Sequence, residues 1–174
     1  MSIYTKTGDK GQTVLYNGRS VSKADVQIDA YGSVDELTCF LGLIISKVKK
    51  EDKIFLTEVQ KDLYIIMGFL AGKKTSLVNL ETRINYFEQS IDKITLKLPK
   101  LNRFILTQGS ELSSWFHVLR AVCRRAEREV VRFFKSKKGL YKNQYVLVIK
   151  YLNRLSDLFF TLARLYNKEK ELII

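Results

Sequence analysis

The chain has 174 residues, 46% hydrophobic and 28% charged, which suits one domain with a buried core and excludes a low-hydrophobicity disordered chain. One proline and nine glycines leave too few turn residues for an all-β fold, which reverses direction roughly every ten residues. The formal net charge of +12, from 30 Lys+Arg against 18 Asp+Glu, favours anionic partners such as nucleic acid, a membrane surface or phosphorylated ligands; scattered pairs such as Lys49-Lys50 and Lys73-Lys74 equally fit solvated helix faces.

Residues 1 to about 27 are polar and irregular, punctuated by Gly8, Gly11 and Gly18. Here "TKTGDKGQT", residues 5 to 13, is either a solvated terminus or a loop that folds around an anion. From about Ile28, Ala30, Val34, Leu37, Leu41 and Ile44 recur at spacings of three and four, the mark of one buried helix face. Ser33 and Glu36 have the spacing of a capping box, so the helix starts near Ser33 or, equally defensibly, near Asp29. A second helix is expected from about Lys53 to Ala71, with Ile54, Leu56, Val59, Leu63, Ile66, Met67 and Leu70 as its stripe. A third covers roughly Ser76 to Leu96 on Leu80, Ile84, Phe87, Ile91 and Ile94, and Pro99 bars its continuation. "NRFIL" reads as a short apolar linker. Further helices are expected from about Gly109 to Lys137 and from about Gln144 to Asn167. Five long amphipathic helices with short joints make an all-α, five-helix bundle, one domain over 1–174.

The fourth helix carries "HVLRAVCRRAEREVV". With Arg120 at zero on a wheel of about 100° per residue, Arg124 lies roughly 40° to one side and Glu127 roughly 20° to the other. Leu112, Phe116, Leu119, Cys123, Ala126 and Val130 fill the adjoining arc, so these charges border the buried stripe. They are either interhelical ion pairs of a bundle or an anion site, since guanidinium forks match phosphate oxygens. On the fifth helix Asn153 and Asp157 share a face beside Leu152, Leu155, Phe159 and Leu162, with the arginines of the fourth helix as the obvious partners. Asp35 and Glu36 sit early in the first helix, either as dipole stabilisers or with Asp35 paired to one of those arginines across an interface.

Glycines flanking Asp9 and Lys10 allow backbone amides to converge on an oxyanion, and Lys6 and Lys10 add charge, although the stretch is neither a P-loop nor GxGxxG. Cys39 and Cys123 lie in apolar helical patterns and suit a reduced, cytoplasmic setting. No run approaches the ~18 apolar residues of a membrane span. His117 stands alone, without a nucleophile arrangement, and "ELSSWF" reads as an aromatic anchor in the core.

Four separated stretches, "YTKTGDKGQT", "AYGSVDEL", "VCRRAEREVV" and "YLNRLSDLFF", together resemble the PduO-type ATP:cob(I)alamin adenosyltransferases, in that family's order and nearly over the whole chain. The resemblance implies a homotrimer with active sites between subunits. It implies transfer of the 5′-deoxyadenosyl group of ATP to the cobalt of a reduced corrinoid such as cobalamin, with release of triphosphate and with Mg2+ carried by the nucleotide. A reductase and an adenosylcobalamin-dependent enzyme are the partners it implies, with no role for nucleic acid or membrane. By position, Thr5, Lys6, Thr7, Gly8, Asp9, Lys10 and Gly11 correspond to the loop that wraps the triphosphate, and Lys23 to a basic residue that also reaches the nucleotide. Arg124, Arg125, Glu127 and Arg128 match its nucleotide-binding segment, with Arg124 steadying the leaving triphosphate, and Asn153 matches an asparagine that contacts ATP. Asp35 and Arg120 match an intersubunit ion pair, and Phe104 matches an aromatic at the corrinoid's lower face that helps remove the lower axial ligand.

Three departures from the family pattern stand out. Thr107-Gln108-Gly109 replaces the usual Pro-Gly-Gly, Leu119 replaces a common Ala, and "LYNGRSVSK" is an irregular glycine-rich stretch; they bear on corrinoid affinity more than on ATP. Two other readings remain: a basic helical nucleic-acid module, which predicts steep salt dependence, and a nucleotide-binding corrinoid carrier or sensor without efficient turnover.

Overall fold

The computed structural model describes residues 3–137, 142–167 and 171–173. After a hairpin of β1 (Gln12–Val14) and β2 (Ser20–Ser22) come five helices: α1 (Val26–Ile45), α2 (Lys50–Leu70), α3 (Asn79–Thr95), α4 (Glu111–Ser136) and α5 (Lys142–Tyr166). The five-helix bundle read from the sequence is thus the fold observed.

Helix starts correct the expected boundaries. Asp25 caps α1, its carboxylate accepting from the Gln27 amide at 2.8 Å. The Ser33 hydroxyl, read as a cap, instead lies within α1 and donates back to the Asp29 carbonyl at 2.8 Å. Ser110 caps α4, and Glu111 in its first turn and Lys135 in its last complement the helix dipole. α3 ends at Thr95, four residues before Pro99. The short hairpin was not anticipated, because Gln12–Val14 and Ser20–Ser22 have no alternating apolar pattern; they pair antiparallel with Thr13 opposite Val21.

Packing places α1 between α2 and α4, and α5 between α4 and α3. Arg83 of α3 closes the ring: its Nε donates to Asp62 of α2 at 2.7 Å, and the buried Tyr151 hydroxyl of α5 donates to the same carboxylate at 3.2 Å. Burial pushes the Asp62 carboxyl above its ordinary range, with Arg83 opposing. The expected stripes of α1, α4 and α5 point inward almost throughout; Phe116, Leu119, Cys123, Ala126, Leu155 and Phe159 are completely buried. Each such large side chain contributes roughly 1.5–3 kcal/mol. Two assignments need correction: Ile54 is 63% exposed, and Cys39 faces outward while Cys123 is buried. In "ELSSWF", Phe116 is the core anchor; Trp115 is half-buried and donates to Glu111.

One end of the bundle gathers the α1–α2 turn, the start of α4 and the end of α5, joined by Lys47–Glu111 at 2.6 Å, Ser110 donating to the Tyr166 carbonyl at 2.8 Å, and a Tyr166–Asp52 hydrogen bond. At the other end the hairpin is tied down where α2 finishes. Tyr16 N–H donates to the Ala71 carbonyl at 3.0 Å, and the buried Gln27 amide donates to the Leu70 carbonyl at 2.7 Å while accepting from Arg19. Those two carbonyls belong to the helix end, whose acceptors have no partner within the helix.

Candidate active site

Residues 5–11 form a run of tight turns leading into β1, with backbone bonds from Asp9 N–H to the Lys6 carbonyl and from Gly11 N–H to the Gly8 carbonyl at 3.2 Å. Gly11 holds φ at +76°, a left-handed conformation that glycine adopts without cost, and Lys6 is held at +60°. Lys23 closes on this loop. Its N–H donates to the Gly11 carbonyl at 2.8 Å, and its ammonium packs so close to Gly8 that a Cβ there would sit 3.0 Å from Nζ. The sequence-predicted Lys23 and the glycine loop therefore do converge. Thr5, Lys6, Thr7, Asp9 and Lys10 are exposed, so the loop presents cations and hydroxyls to solvent.

A separate cavity of about 490 Å3 opens between α3, α4 and α5. Arg120 and Arg124 of α4 line it, opposite Ile91 of α3, Leu101 of the α3–α4 linker and Phe160 of α5, with Arg154, Asp157 and Arg164 along the α5 wall. None of residues 5–11 lines it. Arg120 and Arg124 are one turn apart, which is why both reach the same wall. The Arg120 Nε is buried without a hydrogen-bond partner. Burial, then the neighbouring Arg124, push its guanidinium below its ordinary value, and it remains cationic at neutral pH. His117, one turn earlier, is 5% exposed with an unpartnered Nδ1; burial, then Arg120, push it below its ordinary value, so the imidazole is neutral at pH 7.

Consecutive helix residues lie about 100° apart, so the arginine pair divides. Arg124 faces the α5 side; Arg125 turns to α1, where it pairs with Glu36 in a cleft that Asp29, Glu129 and Arg132 also line. Arg128 donates to the Arg124 carbonyl at 3.1 Å. The partners expected for Asn153 and Asp157 need correction. Arg154, of their own helix, donates to Asn153 at 3.0 Å and to Asp157 at 3.1 Å, and Asn153 reaches Glu127 of α4 at 3.5 Å. Arg154 also bonds Glu88 of α3 at 2.8 Å, so it organises the whole α3–α5 wall. Sequence reasoning passed over it although it stands inside "YLNRLSD"; its position beside Asn153, three before Asp157, was the available signal. Asp35 is exposed on α1 and does not pair with Arg120 within one chain. Phe104 is 84% exposed on the linker.

The chain thus presents two separate features: a basic loop with converging backbone and Lys23, and an arginine-edged cavity with an apolar wall. The first suits a polyphosphate, the second a large, partly apolar ligand beside developing negative charge.

Residues 3–166 match the family model described as cobalamin adenosyltransferase. Among curated proteins the chain is similar to a corrinoid adenosyltransferase of Bacillus subtilis, 38% identical with 96% of this chain and 87% of that protein covered. It is also similar to the human corrinoid adenosyltransferase MMAB, 39% identical over 93% of this chain and 67% of that one. Among solved structures it superposes with TM-score 0.86 and 33% identity, covering 99% of both chains, on a phenylalanine-to-alanine variant of a PduO-type ATP:corrinoid adenosyltransferase from Lactobacillus reuteri complexed with cobalamin and ATP. An arginine-to-lysine variant of the Lactobacillus reuteri enzyme, complexed with ATP, gives TM-score 0.84 at 34% identity.

Proposed function

The chain belongs to the cobalamin adenosyltransferase family, and from that premise we propose that it transfers the 5′-deoxyadenosyl group of ATP to the cobalt of a reduced corrinoid. The cavity with Arg120 and Arg124 facing an apolar wall is the observation that carries this reading. Co(I) supplies the nucleophile. Its electron pair forms the cobalt–C5′ bond as the C5′–oxygen bond breaks, and triphosphate leaves with the bonding electrons. The protein then needs no triad; it must hold C5′ against cobalt and stabilise the departing charge.

In this scheme residues 5–11 and Lys23 wrap the phosphates, as the Gly8–Lys23 approach supports. Arg124 faces the leaving group, while Glu127, Arg128 and Asn153 shape the nucleotide's surroundings. Arg125, which pairs with Glu36 on the α1 side of the same chain, belongs to the same nucleotide-binding segment. The separation of loop and cavity within one chain supports a complete site formed between copies in a homotrimer, with Asp35 of one chain meeting Arg120 of the next. Phe104 meets the corrinoid's lower face. Mg2+ travels on the nucleotide's phosphate oxygens, where its preference for phosphate and water ligands puts it. Co(I) survives only under reducing conditions, which fits a cytoplasmic setting and a reductase partner.

The test is anaerobic: protein, ATP, magnesium and chemically reduced cobalamin, followed by visible spectrum for a light-sensitive cobalt–carbon product. Adenosylcobalamin should form, and Arg124→Ala should slow it by at least about a hundredfold, the cost of losing one charge-stabilising donor. ATP binding without alkylated product would replace this reading by a corrinoid carrier or sensor.

A further inference from the structure

The C-terminal residues 171–173 return to the end of the bundle that carries Phe104, and one buried arginine joins the two. Arg164, in the last turn of α5, is 7% exposed. Its Nε donates to Glu171 Oε1 at 2.7 Å; its Nη2 donates to Glu171 Oε2 at 3.1 Å and to the Pro99 carbonyl at 2.8 Å. Just beyond Glu171, Ile173 pairs with Ile105 in an antiparallel bridge, and Leu106 N–H donates to the Leu172 carbonyl at 2.9 Å. The stretch 99–106 is therefore held at its start by Arg164 and at its end by the tail that Arg164 holds. Leu101, which lines the cavity, and the exposed Phe104 ride on the arch between these two points.

We propose that Arg164 and Glu171 are a positioning pair for the corrinoid side of the site, fixing the 99–106 arch that carries Leu101 on the cavity wall and the exposed Phe104. The corrinoid part rests on the adenosyltransferase reading; the latch itself rests on the contacts alone. A planar guanidinium suits this post because it serves a carboxylate with two parallel bonds and a carbonyl with a third donor. An ammonium offers a point charge that cannot reproduce that fork. Pinning both ends of the arch lowers the entropy lost when it orders against a ligand, so the pair acts on affinity for the large substrate. Arg164 bonds Glu171 and Pro99 and none of the groups that the scheme places around the nucleotide, neither residues 5–11 and Lys23 nor Arg124, Glu127, Arg128 and Asn153, so the latch acts chiefly on the corrinoid and not on ATP.

The experiment uses full-length Glu171→Gln, Glu171→Asp and Arg164→Lys, with hydrogen exchange at the Leu106 amide and steady-state kinetics in each substrate. Glu171→Gln should speed Leu106 exchange and raise the KM for cob(I)alamin, each by roughly tenfold, the size of one lost charge-assisted hydrogen bond. The KM for ATP should stay within about twofold, and Glu171→Asp should recover part of both effects. Arg164→Lys should resemble Glu171→Gln if it folds; Glu171→Gln, at a tail position, carries the test if it does not. Unchanged Leu106 exchange in Glu171→Gln overturns the latch. Faster exchange with both KM values rising together overturns the positioning role. Should the wild type form no adenosylcobalamin, the function assigned above fails while Leu106 exchange still decides the latch.

Discussion

Gly109 offers a sharp test of how the linker enters α4. Its φ is +131°, beyond the left-handed well that other residues visit, and a Cβ built there would lie 2.3 Å from Asn167 Oδ1 and 2.8 Å from its Cγ. That same Oδ1 accepts from the Ser110 amide at 3.3 Å, at the cap of α4. Gly109→Ala therefore adds backbone strain of about 1–3 kcal/mol and displaces Asn167 from a hydrogen bond of about 1 kcal/mol, roughly 2–4 kcal/mol together. Gly18 is the control: its φ is +81° and nothing lies within 4 Å of its Cβ position, so Gly18→Ala carries strain alone, about 1–2 kcal/mol. At about 2–4 °C per kcal/mol for a chain of this size, Gly109→Ala should lower Tm by roughly 4–16 °C and Gly18→Ala by roughly 2–8 °C. Calorimetry at equal protein concentration measures both, since an oligomer's Tm depends on concentration. Asn167→Ala deletes the clashing atoms and should recover part of the Gly109→Ala loss, a coupling that a double-mutant cycle isolates. Equal losses at Gly18 and Gly109, or no recovery with Asn167→Ala, would refute the contact argument.

Lys10→Ala should raise the KM for ATP about tenfold, the scale of one charge-assisted contact, and leave the corrinoid KM unchanged; an unchanged KM for ATP counts against the loop as a triphosphate wrap. Asp35→Arg and Arg120→Asp should each depress activity and trimer content in sedimentation, and the double exchange should restore part of both, with a coupling of about 0.5–3 kcal/mol if the two side chains pair. Because burial lowers the folded His117 pKa, the unfolded chain binds the extra proton first as pH falls below the ordinary histidine value, so stability is lost on that side and unaffected above it. Urea titrations at pH 7.5 and 5 should therefore show His117→Gln losing less stability than the wild type across that interval, by up to about 1.4 kcal/mol per pH unit for one proton; equal losses would put the acid sensitivity elsewhere, with Arg120 and Glu171 the charges that face the ring.

Helical periodicity carried far because most of this chain buries one face per helix. Ala30, Val34, Leu37, Leu41 and Ile44 are spaced at three and four, and every one is buried. Periodicity failed where a different force acted. Ile54 has the right chemistry near the start of α2, but at about 100° per residue it lies roughly 160° from the buried stripe of Leu56, Val59, Leu63, Ile66 and Leu70 and so faces outward. The α1 start was misplaced because Ser33–Glu36 has the right spacing for a cap in the wrong setting, while Asp25 supplies the oxygen that the amides actually use. The hairpin's strands are three residues each, too short to show a period of two. In the site, Arg120 and Arg124 were legible as edge charges, since i and i+4 share a face. The Arg164–Glu171–Pro99 contacts were not, because they join segments 65 and 7 residues from Arg164. Sequence spacing carries no signal for meetings of that kind.

The departure at Thr107-Gln108-Gly109 also takes on a different weight once the backbone is in view. Of the three positions, only Gly109 holds a positive φ, and a Cβ there would meet the Asn167 side chain. Thr107 and Gln108 are exposed. The chain's path through them is fixed from both sides: Leu106 is bonded to Leu172, and Ser110 donates to the Tyr166 carbonyl. The one glycine that this path requires is the one retained. Threonine and glutamine therefore set what the linker presents to solvent at these two positions. They add a hydroxyl and an amide beside the stretch that Phe104 leads. On the proposed reading, a change in corrinoid affinity at this junction comes from those side chains meeting the ligand, while the proposed Arg164–Glu171 latch holds the stretch that carries Phe104.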